Sequence, residues 1–228
     1  MIKVKSSKRM KEASKLVDPA KTYPLDEAMA AVTSFPKTKF DETIELHFHL
    51  NVDPKATDQG VRGTVVLPHG TGKKVRILVI AKGEQVQSAQ SLGVEHAGGQ
   101  DLIEKISKGF MDFDCVIATP EMMRDLSKLG KILGPRGLMP SPKSGTVTVD
   151  IERAVKDVRA GKIEYKTDKQ SGIHVGIGKK SFTKDQLVNN AKQIIDSVVQ
   201  ARPGSVKTEY IKSVFVSSTM GPSLRISV

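Results

Sequence analysis

The sequence has 228 residues, 38% of them hydrophobic, so it suits one large domain or two small ones and does not have the composition of a disordered chain. A single cysteine excludes an internal disulfide framework, and no apolar run approaches the ~18 residues of a membrane-spanning helix. Lysine and arginine number 36 against 25 acidic residues, a formal net charge of +11. This excess favours a polyanionic partner over a basic protein without one, because neutralising phosphates releases condensed counterions.

The first third of the chain opens with a basic arm and then predicts two helices and two strands. In chain order these are a helix from about Lys8 to Val17, a helix between Thr22 and Pro36, a strand over 44–50 and a strand from about Arg62 to Leu67. The first strand is the clearest, because apolar residues at 44, 46, 48 and 50 alternate with polar ones. Such alternation indicates one buried face and one polar face.

The middle third has a different sequence pattern, in which short apolar runs alternate with segments of helical periodicity. The predicted elements are strands at 75–81, 94–97 and 114–119, and helices at 84–92, 100–108 and 121–133. The first run, Val75–Ala81, is nearly continuous apolar sequence, as expected for a strand covered on both faces. Regular strand-helix alternation predicts a parallel, doubly wound sheet.

The last third returns to a mixed pattern. It predicts a helix near 151–160, strands at 163–167 and 173–177, a helix over 183–201, and closing strands at 211–217 and 224–228. The helix over 183–201 is the best supported, because Thr183 and Gln186 have capping-box spacing and apolar residues from Leu187 to Val199 mark one face.

The first and last thirds of the chain lack the regular strand-helix alternation of the middle third, and each is too short to bury a core easily. We therefore expect two domains of mixed α/β and α+β class. Residues 1–70 and 162–228 would form one split α+β domain, into which residues 71–161 are inserted as a doubly wound, three-layer α/β domain. The two chain crossings, near Gly70 and Gly161, would act as a hinge.

The sequence offers little support for catalysis or for a cofactor. It has no Gly-x-Gly-x-x-Gly turn, and Gly70–Lys74 lacks the spacing of a phosphate loop, which argues against an α/β enzyme or nucleotide-binding protein built on the middle domain. His47 and His49 have metal-compatible spacing on one strand face, but no further His or Cys cluster accompanies them. We expect no metal, no cofactor and no enzymatic activity.

Two loops combine glycine and proline with polar or cationic residues. Gly134–Gly145 is either a long ordered crossover or a phosphate-contacting loop. Ser217–Ser223 is either an ordinary turn or a place where short hydroxyl side chains, a glycine and a methionine let an RNA backbone approach closely.

Three stretches together resemble one protein family. They are Lys39–Glu45, Gly130–Pro140 and Ser217–Ser223, and they resemble the L-one family of large-subunit ribosomal proteins in its bacterial form, over essentially the whole chain. The alternative hypothesis is a basic DNA-binding protein, but the sequence has no helix-turn-helix or zinc-binding pattern.

The resemblance implies a cytoplasmic, ribosome-bound protein that is monomeric when free and has no contact with membranes. It implies binding to large-subunit ribosomal RNA at the mobile stalk beside the tRNA exit site. It further implies help in the release of deacylated tRNA, and repression of translation of its own messenger RNA through a site that imitates the ribosomal one.

The resemblance also implies which residues contact RNA. They are Lys39, Phe40, Thr43 and Glu45, then Lys169, Gly172 and His174, and finally Ser213, Thr219, Met220, Gly221 and Ser223. The strand pattern agrees in part, because Thr43, Glu45 and His47 share one face and Ser213, Ser217 and Thr219 share another. Side by side, the two faces would make a polar sheet surface on which RNA can lie. The carboxylate of Glu45 would accept a hydrogen bond from a ribose 2′-hydroxyl or a base amine, a contact that distinguishes RNA from DNA.

Overall fold

Residues 7–56, 58–207 and 209–227 are described by the computed structural model, which has the mixed helix and strand content expected from the sequence. The start of the basic arm, before Ser7, and the predicted end of the last strand at Val228 lie outside the described residues. Within this part of the chain, no helix is both long enough and apolar enough to cross a lipid bilayer. The chain divides into two compact units, one made of residues up to Gly72 and from Ile163 onward, the other of residues Lys73–Lys162.

The first segment of the chain contains two helices and three strands. They are α1 (Lys8–Lys15), β1 (Thr22–Tyr23), α2 (Leu25–Ser34), β2 (Thr43–Leu50) and β3 (Arg62–Val66). The side chain of Ser7 caps α1 by accepting a hydrogen bond from the backbone N–H of Met10. The alternation predicted for β2 is confirmed, since its four apolar side chains are at most 2% exposed.

The middle segment contains three strands and five helices. They are β4 (Ile77–Ile80), α3 (Glu84–Ser91), β5 (His96–Gly98), α4 (Gln100–Ser107), β6 (Cys115–Ala118), α5 (Met123–Leu126), α6 (Gly130–Leu133) and α7 (Ile151–Arg159). Strand β4 lies between β5 and β6 and pairs in parallel with both. Apolar clusters cover both faces of this sheet, one with α4 and the chain that follows β6, the other with α3 and α7. The predicted parallel, doubly wound sheet is confirmed.

The prediction of one continuous helix over 121–133 is wrong. Tight 3₁₀ turns at Pro120–Met122 and Ser127–Leu129 alternate with the short helices α5 and α6. The hydroxyl of Ser127 donates to the carbonyl oxygen of Met123 at 2.7 Å, and a glycine follows at 130, so two poor helix formers interrupt the segment. Buried apolar residues still recur every three or four positions, which explains why the sequence pattern resembled one helix.

The last segment contains four strands and the longest helix among the described residues. They are β7 (Lys162–Lys166), β8 (Gly172–Lys179), α8 (Lys184–Gln200), β9 (Ile211–Ser218) and β10 (Ser223–Ile226). The capping box of α8 is confirmed, with both reciprocal hydrogen bonds between Thr183 and Gln186 present. The apolar face ends earlier than predicted, because Val199 is 47% exposed. At 100° per residue, Val199 lies farther around the helix from the centre of the buried stripe than the other apolar residues of the predicted face.

The first unit is built from both ends of the chain. Its main sheet has the order β1-β10-β9-β2-β8, so β2 from the first segment lies between two strands of the last. A second sheet pairs β3 with β7. One apolar core, which includes α2 and α8, draws side chains from both segments. Neither segment therefore has a complete core or sheet without the other.

We predict that each part folds on its own. Residues 1–70 joined to 162–228 by a short linker should unfold in a single cooperative transition in urea, and so should residues 71–161, because each part retains its own sheet and apolar core. Circular dichroism during urea titration checks both. A broad, non-cooperative transition for either part would show that these boundaries do not delimit domains.

Candidate nucleic-acid interface

One face of the main sheet packs against α2 and α8, and the other carries the polar side chains of β2, β8 and β9. The strand register places Glu45 opposite Ser217 and His49 opposite Ser213. Thr43 belongs to the same side of β2 as Glu45, by the period of two. Three of the residues implied as RNA contacts, Thr43, Glu45 and Ser213, thus lie on one surface, which we call the polar sheet face.

Two more of these residues precede β2. Lys39 is exposed, and Phe40 is 53% exposed although its side chain is fully apolar. A cavity of about 280 Å³ beside Phe40 is also lined by Lys37 and Lys180. An exposed ring with the exposed Lys37 nearby is compatible with a base or ribose on the ring and a phosphate beside it, whereas Lys180 is mostly buried and paired with Glu42.

Thr219 connects the turn after β9 to the start of β2. Its hydroxyl accepts a hydrogen bond from the N–H of Thr43 at 3.0 Å and donates one to the carbonyl oxygen of Thr43 at 3.1 Å. Its own N–H donates to that same carbonyl at 2.9 Å. The hydroxyl of Thr219 is therefore committed to shaping the turn, and its proton is not available to an RNA ribose unless this contact breaks.

The peptide groups on both sides of Met220 are fixed by charged side chains. Its N–H donates to Oε1 of Glu42 at 3.1 Å, and its carbonyl oxygen accepts from Nη2 of Arg9 at 2.5 Å. Glu42 is completely buried, and its other oxygen accepts from Nζ of Lys180 at 3.1 Å. The Met220 side chain itself is 50% exposed. The turn thus presents an apolar side chain on a backbone that is held in place.

Sequence reasoning missed Glu42, although a signal existed. Position 42 has the same parity as the buried residues of β2, so extending the alternation by one step places this carboxylate on the inner face. A buried carboxylate needs cationic or hydrogen-bonding partners. Those partners, Arg9, Lys180 and Ser218, are far away in the sequence, and no local pattern identifies them.

Gly221 is required by the protein's own packing. A Cβ there would come within 2.5 Å of Oγ of Ser218 and 2.9 Å of Cδ2 of Phe35. Its φ is not among the positive values that favour glycine. Ser223, two residues later, is exposed and lies opposite Ser217. At Gly221 the short turn between β9 and β10 therefore packs closely on Phe35, the residue that follows α2.

A second turn, before β8, presents Lys169. Oδ1 of Asp168 accepts hydrogen bonds from the N–H groups of Gln170 and Gly172, both at 2.7 Å, and these contacts, that from Gly172 first, lower the pKa of Asp168. Gly172 is buried, and a Cβ at this position would come within 3.0 Å of both Asp168 Oδ2 and His174 Nε2. Gly172 thus shapes the turn, while Lys169 and His174 are exposed.

Two histidines form a hydrogen-bonded chain on the polar sheet face. Nδ1 of His47 lies 2.9 Å from Nδ1 of His174, whose Nε2 lies 3.4 Å from Oδ2 of Asp168, and Nε2 of His47 lies 3.0 Å from Oγ of Ser217. The ionised Asp168 only accepts, so Nε2 of His174 donates to it, and in a neutral His174 ring Nδ1 would then accept from His47. His47 then donates from Nδ1 and accepts from Ser217. Burial, and then His174, lower the pKa of His47, against a smaller opposite effect of Glu45.

The two glycines expected at the chain crossings both have positive φ, +64° at Gly70 and +98° at Gly161. They lie within two residues of the boundaries between the compact units. Asn190, which sequence reasoning missed, is fully buried in α8, donates to the carbonyl oxygens of Gly70 and Ile177 at 3.0 and 2.7 Å, and accepts from the N–H of His69. The chain leading to the first crossing is therefore anchored on α8.

The loop Gly134–Gly145 is ordered by its own hydrogen bonds. Thr146 Oγ1 accepts from the N–H of Ser141, and the buried hydroxyl of Ser144 bonds to both of these residues. The loop's two cations, Arg136 and Lys143, are exposed. The structure thus shows an ordered crossover with two solvent-facing charges.

A family model of the Ribosomal protein L1p/L10e family matches residues 32–222 of the chain. The match includes every residue implied above as an RNA contact except Ser223, which lies one residue beyond it. The family resemblance drawn from three stretches of sequence is confirmed.

We predict that the histidine chain makes folding stability depend on pH. The pKa of His47 is lower in the folded protein than its ordinary value of about 6.5. At pH values below 6.5, the unfolded chain therefore binds a proton at His47 more readily than the folded chain does. The contribution to stability is present above that pH and is lost as the pH falls. The free energy of unfolding in urea should drop between pH 7.5 and 5.5, and His47→Gln should reduce that drop. The control is His49→Gln on the same strand, and an equal drop in the parent and His47→Gln would contradict this account.

Proposed function

Because the chain belongs to the Ribosomal protein L1p/L10e family, we propose that it binds the RNA of the large subunit's mobile stalk through the polar sheet face and its bordering turns. Family membership implies a structural role in the ribosome and binding of ribosomal RNA. The finer statement, that Lys39, Phe40, Met220 and the face of β2 make the contacts, is supported by their positions.

The observation that carries the proposal is the fixed turn at Met220. Burying a carboxylate costs several kcal/mol unless it is paired, and here the paired group holds an exposed apolar side chain next to a polar surface. Such an arrangement holds the backbone that carries the exposed side chain in one position. Binding to a rigid surface loses less conformational entropy than binding to a flexible one. The turn is therefore suited to recognition.

The chemistry of the surface favours RNA. Glu45 and Ser217 lie side by side and offer acceptors and a hydroxyl, which match the 2′-hydroxyls exposed in the shallow groove of an RNA helix. Exposed Lys39 and Lys169 lie at its borders and attract phosphates. Polar contacts would provide specificity, and lysines the general attraction.

The resemblance adds two roles to this surface. The protein would help deacylated tRNA leave the exit site, and it would repress translation of its own messenger by binding a site similar to the ribosomal one. If ribosomal RNA and the messenger bind the same surface, they compete for it, so repression would begin only after the ribosomal sites are filled. We propose no catalytic role, because no feature of residues 73–162 points to the rival α/β enzyme.

We predict that exposed apolar groups at the border contribute to affinity. Phe40→Ala should weaken binding of a stalk RNA fragment by about 1–3 kcal/mol, the range for a lost base stack, and Met220→Ala should weaken it in the same direction. Both side chains are about half exposed, so the melting temperature should change little. Val66→Ala, at a partly exposed apolar residue of β3, is the matched control. Unchanged RNA affinity in both variants would place recognition elsewhere.

We predict a strong dependence of affinity on salt. If roughly 3–6 cations contact phosphates, the logarithm of the association constant should fall linearly with the logarithm of salt concentration, by about 0.7–0.9 units per contact. Titrations of the stalk fragment from 50 to 300 mM salt, about a sixfold range chosen around physiological ionic strength, measure the slope. A flat response would show that the positive charge of the chain is incidental to binding.

A further inference from the structure

A row of flat or cationic side chains crosses the polar sheet face. The strand register places Arg225 of β10 opposite Phe215 of β9, Phe215 opposite His47 of β2, and His47 opposite His174 of β8. Neighbouring strands are about 4.8 Å apart, so the row extends over roughly 14 Å. Among these four residues, the family resemblance implied only His174 as an RNA contact.

Phe215 is unusual for its position. It has the same parity as Ser213 and Ser217, and it is not part of the apolar core of its unit. A phenylalanine on the solvent side of a sheet leaves apolar area in contact with water, and aromatic residues in such places often mark binding surfaces. By the strand register, Phe215 lies between His47 and Arg225.

Arg225 adds a cation that is not used elsewhere. It is exposed, and it makes no ion pair or side-chain hydrogen bond with any residue that the structure describes. A planar guanidinium stacks on bases and binds phosphate through paired donors. On the other side of Phe215, the histidine chain adds two flat rings whose four nitrogens are already hydrogen-bonded within the protein.

We propose that this row, Arg225–Phe215–His47–His174, is a subsite for an unpaired RNA base, which would stack on Phe215 while Arg225 holds its phosphate or stacks beside it. The proposal rests on the function proposed above and names what that surface binds beyond a helical backbone. In a fully paired helix the bases remain stacked on one another, so a flat side chain has little to bind there, whereas bases in loops and bulges are open to aromatic rings.

The net positive charge of the segment that supplies most of the row favours RNA over a protein occupant. Residues 162–228, which supply three of its four side chains, hold eleven basic and five acidic groups. The row also continues the surface of Glu45 and Ser217 without interruption. A protein partner would have to satisfy an exposed arginine, while a nucleotide offers a π-face and a phosphate together.

The test compares two RNAs against variants of the full chain. The first is a stalk RNA fragment with its unpaired nucleotides, and the second is the same fragment with those nucleotides closed into base pairs. Phe215→Leu keeps the apolar volume but removes the ring. We expect it to weaken binding of the first RNA about tenfold, the order of a lost base stack, and to leave the second nearly unchanged.

Two further variants keep the result interpretable. Phe215→Tyr restores a ring and should recover the affinity. Arg225→Gln should weaken binding of the first RNA more than the control Lys166→Gln does, which removes an exposed lysine from β7. Equal losses on both RNAs, or parental affinity in Phe215→Leu, would overturn the subsite. Failure of the parent to bind either RNA would instead overturn the proposed function, and the subsite with it.

Discussion

The turn that carries Met220 beside the polar sheet face depends on one buried carboxylate. Glu42 is completely enclosed, and its two oxygens bind Lys180, the N–H of Met220 and the hydroxyl of Ser218, with Arg9 beside them. A carboxylate in this position is costly unless its partners stay in place, and removing one member of such a pair typically destabilises a protein by about 3–5 kcal/mol. The interaction therefore fixes four parts of the chain relative to one another: α1, the start of β2, the end of β8 and the turn after β9.

This constraint links the fold to the proposed function. The hydrogen bond between Glu42 and Met220 joins residues 178 positions apart, and β2 completes a sheet whose other strands come mostly from the last segment. A surface assembled in this way exists only when both flanks of the chain have folded together. It is also rigid, because its turns are hydrogen-bonded to strands and not merely to each other. Rigid placement allows a few polar contacts to discriminate between RNAs, while the net charge supplies attraction without sequence preference.

Local periodicity predicted much of the fold. The alternation of β2, the capping box of α8 and the strand-helix rhythm of the middle segment are short-range signals, and the structure confirms all three. The break within 121–133 escaped detection, because the apolar spacing of a helix survives there although its hydrogen bonding changes.

The candidate site was less accessible to such reasoning. Its residues were suggested by family resemblance, and periodicity supported two shared faces, that of Thr43, Glu45 and His47 and that of Ser213, Ser217 and Thr219. The internal roles of Thr219 and Gly221 depend on Thr43 and Phe35, which lie more than 170 residues earlier. The buried amide of Asn190 likewise has partners that only the tertiary structure brings near. Long-range polar contacts leave no periodic trace in a single sequence.

The central claim is that the buried pairing of Glu42 shapes the surface that binds RNA. The most direct measurement compares Glu42→Gln with Ile194→Ala, a core variant in α8 expected to lose a similar 2–5 kcal/mol of stability. Affinity for the stalk RNA fragment is measured at low temperature, where circular dichroism shows both variants to be folded. The account predicts that Glu42→Gln binds about tenfold or more weakly, equivalent to at least about 1.4 kcal/mol, while Ile194→Ala binds like the parent. Parental affinity in folded Glu42→Gln, or an equal loss in both variants, would contradict it.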